Sequence, residues 1–554
     1  MMMEVVGDVL LPYMLAKIIN QGIAERNVVY IIKIGAIMGF IAVIMAVGGV
    51  LGAWFASKAA MNFGADLRMD LFEKIQQFSF QNIDNFSTGS LITRLTNDIT
   101  QIQNMIMMTL RMCLRSPGIL IGAMVMAFVI SPKLAAIFII VLPVLAVLIV
   151  VIMRRAFPQF RTLQEKLDAL NSCIQEGLVG IRLIKSFVRG DYEEMRFEKR
   201  NQQLKEANLT AMKTMLLYTP LMTLALNITT VVVVWSGGNM IVAGNMQVGD
   251  LTAFTNYIVQ IMSSLTMLSI AFLNWARAIA SFRRVGEVLD EKIDLTDENA
   301  KHKDRAVCEG SVEFQNVSFR YYKNSPEWVI ENISFKLEAG KTLGIIGSTG
   351  SGKSTLVSMI PRLYDSDEGT VLVDGINVRD YGLKPLREGI GMVLQNNTLF
   401  SGSIIENLKW GDEHADEKAV RKAAQNAQAA GFIDSFKDGY RTRLEQSGNN
   451  VSGGQKQRLC IARALLKCPK ILILDDSTSA VDTATERAIR EALHSEYKDM
   501  TKIIIAQRIR SVMDADEILV LDNGKTAGFG THEQLLADCP VYREIYDVQN
   551  GREE

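Results

Sequence analysis

Along the first half of the chain, apolar residues come in long unbroken runs, without the periodic stripe of a soluble helix. Crossing ~30 Å of hydrocarbon takes about 20 such residues, and Ile34–Ser57, Leu134–Met153, Leu216–Trp235 and Leu251–Ala276 each reach that length. Ser116–Ile130 is shorter, so its helix is expected to begin earlier and take in Arg111 and Arg115 near one face. A sixth run, Met1–Asn20, carries Glu4, Asp8 and Lys17, all costly at a bilayer centre, and Pro12 besides. It lacks the basic leader and small-residue cleavage site of a signal peptide. It reads as an interfacial segment or as part of a span. The span is preferred, because six crossings return the chain to its starting side. On span length the first helix is expected to be truncated, with roughly 20 further residues ahead of Met1.

Between the runs the pattern turns to mixed apolar and charged positions with few breakers, at Gly64–Ser79, Ser90–Leu110 and Phe160–Ala211. Structureless loops of this length are unusual in folded chains. The spans are therefore predicted to continue as helices beyond the membrane. Their turns are placed near Asn82–Gly89 and Arg189–Glu194, where they could dock on a cytoplasmic domain. After residue 290 the apolar stretches shrink to strand length: Ser311–Phe319, Thr342–Gly347, Lys470–Leu474 and Lys502–Ala506. The predicted organisation is an all-α membrane domain over 1–290, a linker over 291–309 without apolar periodicity, and an α/β domain over 310–554.

Charge sharpens that division. The 554 residues hold 59 Lys+Arg and 60 Asp+Glu, a balance that gives no ground for a nucleic-acid partner. Residues 1–290 carry 44 charged side chains, 25 basic and 19 acidic, whereas 291–554 carry 75, 34 basic and 41 acidic. The first part is thus net +6 and the second net −7. With the first span running outward, the external connections contain only Arg26, Lys33 and Lys133 as basic residues. The internal ones, Lys58–Ile106 and Arg154–Met215, contain four and twelve. This contrast predicts a multi-pass cell-membrane protein with everything after residue 276 in the cytoplasm. The six cysteines show no metal-ligand spacing, in keeping with a reducing compartment.

The chemistry lies in the second part. The strand Thr342–Gly347 leads into Gly347-Ser348-Thr349-Gly350-Ser351-Gly352-Lys353-Ser354-Thr355, and an apolar-patterned helix follows. This is the context of a phosphate-binding loop, in which glycines turn backbone N–H groups toward phosphates at a helix N-terminus. Lys353 would pair with the β- and γ-phosphates of ATP, and Ser354 would ligate Mg²⁺. A second apolar strand ends in Asp475, placed to hold the same metal through water.

The order of this loop, Gln395, Val451-Ser452-Gly453-Gly454-Gln455, the strand before Asp475 and Ser479–Asp482 resembles the nucleotide-binding domain of an ABC transporter. Six spans followed by such a domain resemble a half-size ABC exporter over nearly the whole chain. The resemblance implies a dimer with two ATP molecules sandwiched between the ATPase domains, and alternating access driven by binding and hydrolysis. It implies that Tyr321 stacks on adenine (a packed strand aromatic is the alternative) and that Gln395 senses Mg²⁺ and the membrane turns. It further implies that Ser452, Gly453, Gly454 and Gln455 cap the partner chain's ATP, and that Asp482 lies at the contact between domains.

At two catalytic positions the chain departs from the family. Asp476 stands where the family has a Glu as general base, and Gln507 where it has a His that grips the γ-phosphate. An Asp carboxylate is one methylene short of its task, and Gln cannot become cationic. Gln446 also stands where the family often has an acid, so no salt bridge is assigned there. The combination resembles the degenerate-site subunit of bacterial heterodimeric multidrug exporters. Slow hydrolysis at this chain's own site is expected, together with a partner half-transporter that carries the Glu and the His. Met107, Met108, Met215, Met222, Met262 and Met267 could line an adaptable cavity for an apolar or amphipathic small molecule, or could face lipid or pack helices. A lipid or peptide exporter, a homodimeric pump and a non-transporting ATP switch are the alternatives.

Overall fold

A computed structural model describes residues 1–323, 325–477 and 481–550. The chain divides into two compact units, Met1–Ile75 with Gly89–Asp290, and Gln76–Thr88 with Glu291–Glu554.

The first unit is helical throughout its membrane runs. Among the described residues, Val28–Gln76, Thr88–Ile130, Pro132–Val179 and Gly190–Val242 are long and apolar enough to cross a membrane. Val248–Leu289 carries the fifth apolar run and Met2–Lys17 the sixth. At 1.5 Å per residue, the 49 residues of Val28–Gln76 extend about 74 Å, far beyond the hydrocarbon, as the mixed pattern after Ser57 requires.

The charged and proline-bearing first helix is held by polar contacts. Pro12 has no N–H for the Asp8 carbonyl, and Gln260 Nε2 donates to that oxygen instead at 2.7 Å. Tyr257 donates its hydroxyl to the neighbouring Val9 carbonyl at 2.7 Å. Arg115 donates to the Asp8 carboxylate at 3.0 Å, which pairs one of the three charges the sequence marks as costly. Phe138, Leu145, Val233, Phe254, Tyr257, Ile258 and Ile261 form the core of this unit.

The second cytoplasmic turn falls earlier than Arg189–Glu194. A short helix, Ile181–Ser186, is followed by Val188 at φ 52°, and the next helix begins at Gly190. Asp191 and Glu193 occupy the first turn of that helix, where its dipole favours acids, so they start the helix and do not form the bend. Val179, Leu183, Phe187 and Val188 are all exposed at this tip.

The first turn, by contrast, folds with the ATPase unit. Ser79 caps the helix Phe80–Asn85, accepting from the Asn82 N–H at 3.1 Å. Asn82 Nδ2 donates to the Lys292 carbonyl at 2.9 Å, Ser79 donates to Asp294 at 3.0 Å, and Tyr364 donates to Asp84 at 3.0 Å.

The rest of the second unit holds two sheets. The larger runs in the order Lys525–Gly530, Glu517–Asp522, Thr342–Gly347, Thr501–Ile505, Ile471–Asp475, Ile390–Val393, all neighbours parallel except the first pair. Ile471–Asp475 and Thr501–Ile505 are buried along their whole length, as strands covered on both faces must be. The smaller sheet is antiparallel, in the order Ile330–Leu337, Val312–Phe319, Glu368–Val373, Ile376–Asn377. The stretch 291–309 is not a free tether at its end. The Asp374 carboxylate accepts the N–H groups of Cys308, Glu309, Gly310 and Ser311 at 2.7–3.1 Å.

Candidate nucleotide site

In a parallel sheet the carboxyl ends of adjacent strands form the natural ligand crevice. Register brings Ile505 opposite both Ile345 and Asp475, so the loop after Gly347, the acids after Leu474 and the residues after Ile505 meet at one edge. A cavity of about 340 Å³ opens there, lined by Tyr321, Val329, Thr349, Gly350, Gly352, Lys353, Ser354, Thr355, Gln395, Asp475, Asp476, Ile505 and Gln507.

The loop has the shape that a phosphate cradle needs. Gly352 takes φ 88°, and a Cβ there would lie 2.9 Å from the Val329 carbonyl oxygen, so only glycine fits. Lys353 opens the helix Lys353–Ser358 and folds back, donating from Nζ to the carbonyls of Gly347 at 2.9 Å and Ser348 at 2.7 Å. Burial pulls the Lys353 ammonium below its ordinary pKa, against the opposing pull of Asp476 and Asp475. An incoming polyphosphate would add further counter-charge at this half-buried cation.

Ser354 donates to Asp475 Oδ1 at 2.9 Å. A hydroxyl, a carboxylate and the Gln395 amide oxygen are hard oxygen donors that suit Mg²⁺. Burial raises the Asp475 pKa, which a bound cation would reverse.

Asp476 points to the same cavity from a left-handed backbone, φ 47°, with its N–H donating to the Ile505 carbonyl at 3.1 Å. Gln507 Nε2 donates to Asp476 Oδ2 at 2.8 Å. Burial raises the Asp476 pKa, and bonding from Gln507 and Gln395, with the charges of Lys353 and Arg508, opposes the rise. The two positions at which the sequence departs from the family are thus bonded to each other.

Tyr321 stands at the cavity mouth, its hydroxyl 2.8 Å from Thr355 Oγ1 and its ring edge-on to Phe319 and Tyr364. Ser452, Gly453, Gly454 and Gln455 are not brought into this cavity. Ser452 caps the helix Gly453–Leu466 in a reciprocal box with Gln455, on the exposed surface. Asp482 caps the helix Thr483–Glu496, accepting from Thr485 N at 3.0 Å and Oγ1 at 2.8 Å. Ser479 and Ala480 lie outside the described residues. Val329, Ile505 and Tyr364 were not foreseen. Val329 and Ile505 carry no motif, and Tyr364 is linked to the site only through packing on Tyr321.

A helical membrane unit joined to a phosphate-loop ATPase defines a membrane-bound ATP-dependent translocase. Residues 2–265 match the family of the ABC transporter transmembrane region, and residues 330–479 match the ABC transporter family. The chain is 40% identical over 553 residues to the uncharacterized ABC transporter ATP-binding protein YfiB of Bacillus subtilis (strain 168), covering 100% of this chain and 96% of that one. It is 35% identical over 504 residues to the putative multidrug export ATP-binding/permease protein YgaD of the same organism, covering 90% of this chain and 85% of that one. Its fold is similar to a bacterial Atm1-family ABC exporter with ATP bound, at a TM-score of 0.83 and 25% identity over 99% of this chain and 96% of that one. The chain belongs to the ABC transporter family, as a half-size exporter that binds ATP, with its ATPase domain in the cytoplasm.

Proposed function

We propose that this chain is one half of a heterodimeric exporter of apolar or amphipathic small molecules, and that its own ATP site binds nucleotide but hydrolyses it slowly. The observation that carries this reading is the bond from Gln507 to Asp476 at 2.8 Å. A general base must reach the attacking water within about 2.6–3.2 Å. Asp476 is a methylene shorter than the family's Glu, and the amide of Gln507 occupies one of its oxygens.

Lys353 and the loop Gly347–Gly352 would hold the phosphates, Ser354, Asp475 and Gln395 would hold Mg²⁺, and Tyr321 would stack on adenine. Bound Mg²⁺ would supply charge neutralisation on the β- and γ-phosphates. Ser452–Gln455 would close on ATP held by a partner half-transporter whose base and switch residue are Glu and His. The exposure of Ser452 and Gly453 in that cap favours such a trans role, and the name of the YgaD relative supports the substrate class.

Purified alone and with the half-transporter encoded beside it, the chain should turn over ATP slowly alone and rapidly in the pair. Robust turnover by the lone chain, abolished by Asp476→Asn, would overturn the heterodimer. Stimulation of ATPase by lipid or peptide and not by amphipathic drugs would replace the substrate class.

A further inference from the structure

Within the membrane unit, the cytoplasmic reaches of two long helices are joined by a group of charges, buried at Asp98 and Arg94 and open to solvent at Arg284 and Glu287, that no nucleotide or substrate role uses. Asp98 is 2% exposed, at the end of the π-helical segment Arg94–Asp98 that interrupts Thr88–Ile130. From Val248–Leu289, Ser281 donates to Asp98 Oδ1 at 2.8 Å. Arg284 donates from Nε to Asp98 Oδ2 at 2.8 Å, and from Nη2 to Oδ1. Arg94, 8% exposed, returns the contact, donating to the Arg284 carbonyl and to Glu287 Oε2 at 3.1 Å. Burial would raise the Asp98 pKa, yet the bonds from Arg284 and Ser281 and the charges of Arg284 and Arg94 hold it below the ordinary carboxylate value. Arg284 pairs with Asp98 and Arg94 with Glu287, to which the exposed Arg283 also comes within 3.8 Å, so each carboxylate is met by a cation and the group is bonded across helices.

Ion pairs with one member open to solvent add little stability, and a network anchored on a buried carboxylate such as Asp98 has its best use in fixing one register between elements. A π-segment costs helical regularity, and such segments gather at functional positions. Here it ends on the carboxylate that both Ser281 and Arg284 grip.

Its place along the chain gives the register a purpose. Segment Gln76–Thr88 belongs to the ATPase unit, and Asp98 follows ten residues after it. Arg284 precedes Glu291, where the chain re-enters that unit, by seven residues. Both helices therefore receive any movement of the ATPase unit within about 15 Å of the clamp.

We propose that Asp98, Ser281 and Arg284, braced by Arg94 and Glu287, are positioning residues that lock these two helices into one lever through the ATP cycle. The proposal rests on the reading of the chain as an ATP-driven exporter.

The test uses the chain paired with its partner subunit in lipid nanodiscs, in a background where the native cysteines are replaced. Nitroxide labels at the exposed Asn97 and Ala280 report the distance across the clamp, and labels at Asn27 and Asn245 report the external connections. Between nucleotide-free and ATP–Mg²⁺–vanadate states, the clamp distance should stay within about 2 Å, the scale of ordinary helix adjustment, while the external pair shifts. Asp98→Ala should broaden the clamp distance and abolish the external shift while ATP hydrolysis persists. Asp98→Asn, which keeps the shape and removes the charge, should do the same in part and guards against misfolding, whereas Asp98→Glu should restore the shift. A native clamp distance that changes with nucleotide overturns the proposal, and so does an Asp98→Ala chain that keeps its external shift. A native assembly in which ATP is not hydrolysed and neither pair responds would instead fail the exporter reading, and the lever with it.

Discussion

On the phosphate-loop side of the cavity, Lys353 is half-buried, its ammonium pulled below its ordinary pKa by that burial, and aimed by a loop in which Gly352 has no room for a side chain. On the opposite side, Asp476 is tied to a neutral amide at 2.8 Å and set back on a shorter side chain. The first side is arranged for a ligand it must meet, and the second is satisfied by its own chain. Binding and hydrolysis are therefore separable properties of one pocket. A chain can keep the first and lose the second, which is what the proposed heterodimer requires of it.

The largest test gives the second side the Glu and His of the family pattern. Asp476→Glu with Gln507→His, in the assembled pair with the partner's own base removed, should raise turnover at this site by about 10²-fold or more, since general bases contribute on that scale. Asp476→Asn alone should change little. A flat response to the double substitution would break the comparison, because it would place the defect elsewhere.

Next comes the loop. Lys353→Ala removes charge-assisted bonds worth roughly 1.5–3 kcal/mol, so affinity for a fluorescent ATP analogue should fall about 10–100-fold. Retained affinity would mean that the glycine backbone alone carries the phosphates.

Asp475 tests the conflict between ligand and fold. Burial raises its pKa in the folded chain, so its contribution to stability is greatest at low pH and is lost as pH rises through the raised value. Asp475→Asn should stabilise the nucleotide-free chain by about 0.5–2 kcal/mol at neutral pH, the usual return for relieving a strained functional site. The advantage in unfolding temperature should shrink toward pH ~4, near the ordinary carboxylate range. Mg²⁺-dependent ATP binding should weaken in the same variant.

Much of this was legible in the sequence, for reasons that are local. A membrane span is a continuous apolar run, and the phosphate loop is nine consecutive residues, so neither needs a tertiary partner to be seen. Asp476 and Gln507 were each visible as substitutions, but their bond depends on the parallel register that sets Asp475 beside Ile505. Glu368–Val373 and Ile330–Leu337 went unread because edge and solvent positions interrupt their apolar pattern. Their pairing with Val312–Phe319 supplies what the pattern lacks. The second turn lies a few residues before the expected Arg189–Glu194, because Asp191 and Glu193 start the next helix. Asp84 and Tyr364 are 280 residues apart, and no spacing rule could join them.

That last pair carries the smallest prediction and the finest distinction. The Tyr364 ring lies 5.4 Å from Tyr321 at the cavity mouth and 6.0 Å from Phe80 on the first cytoplasmic turn, and its hydroxyl donates to Asp84 at 3.0 Å. The binding side of the pocket is thus in contact with the turn through one aromatic bridge, whereas Asp476 and Gln507 bond to each other. Tyr364→Phe keeps the ring and removes one hydrogen bond, worth about 0.5–1.5 kcal/mol. Amide exchange across residues 79–87 should quicken by roughly 2–13-fold, the same energy read as local opening. ATP affinity should not move, because Phe preserves the packing on Tyr321. If affinity falls with the hydroxyl alone, the bond to Asp84 is part of the binding side, and the line between the two halves of the pocket must be redrawn to include the turn.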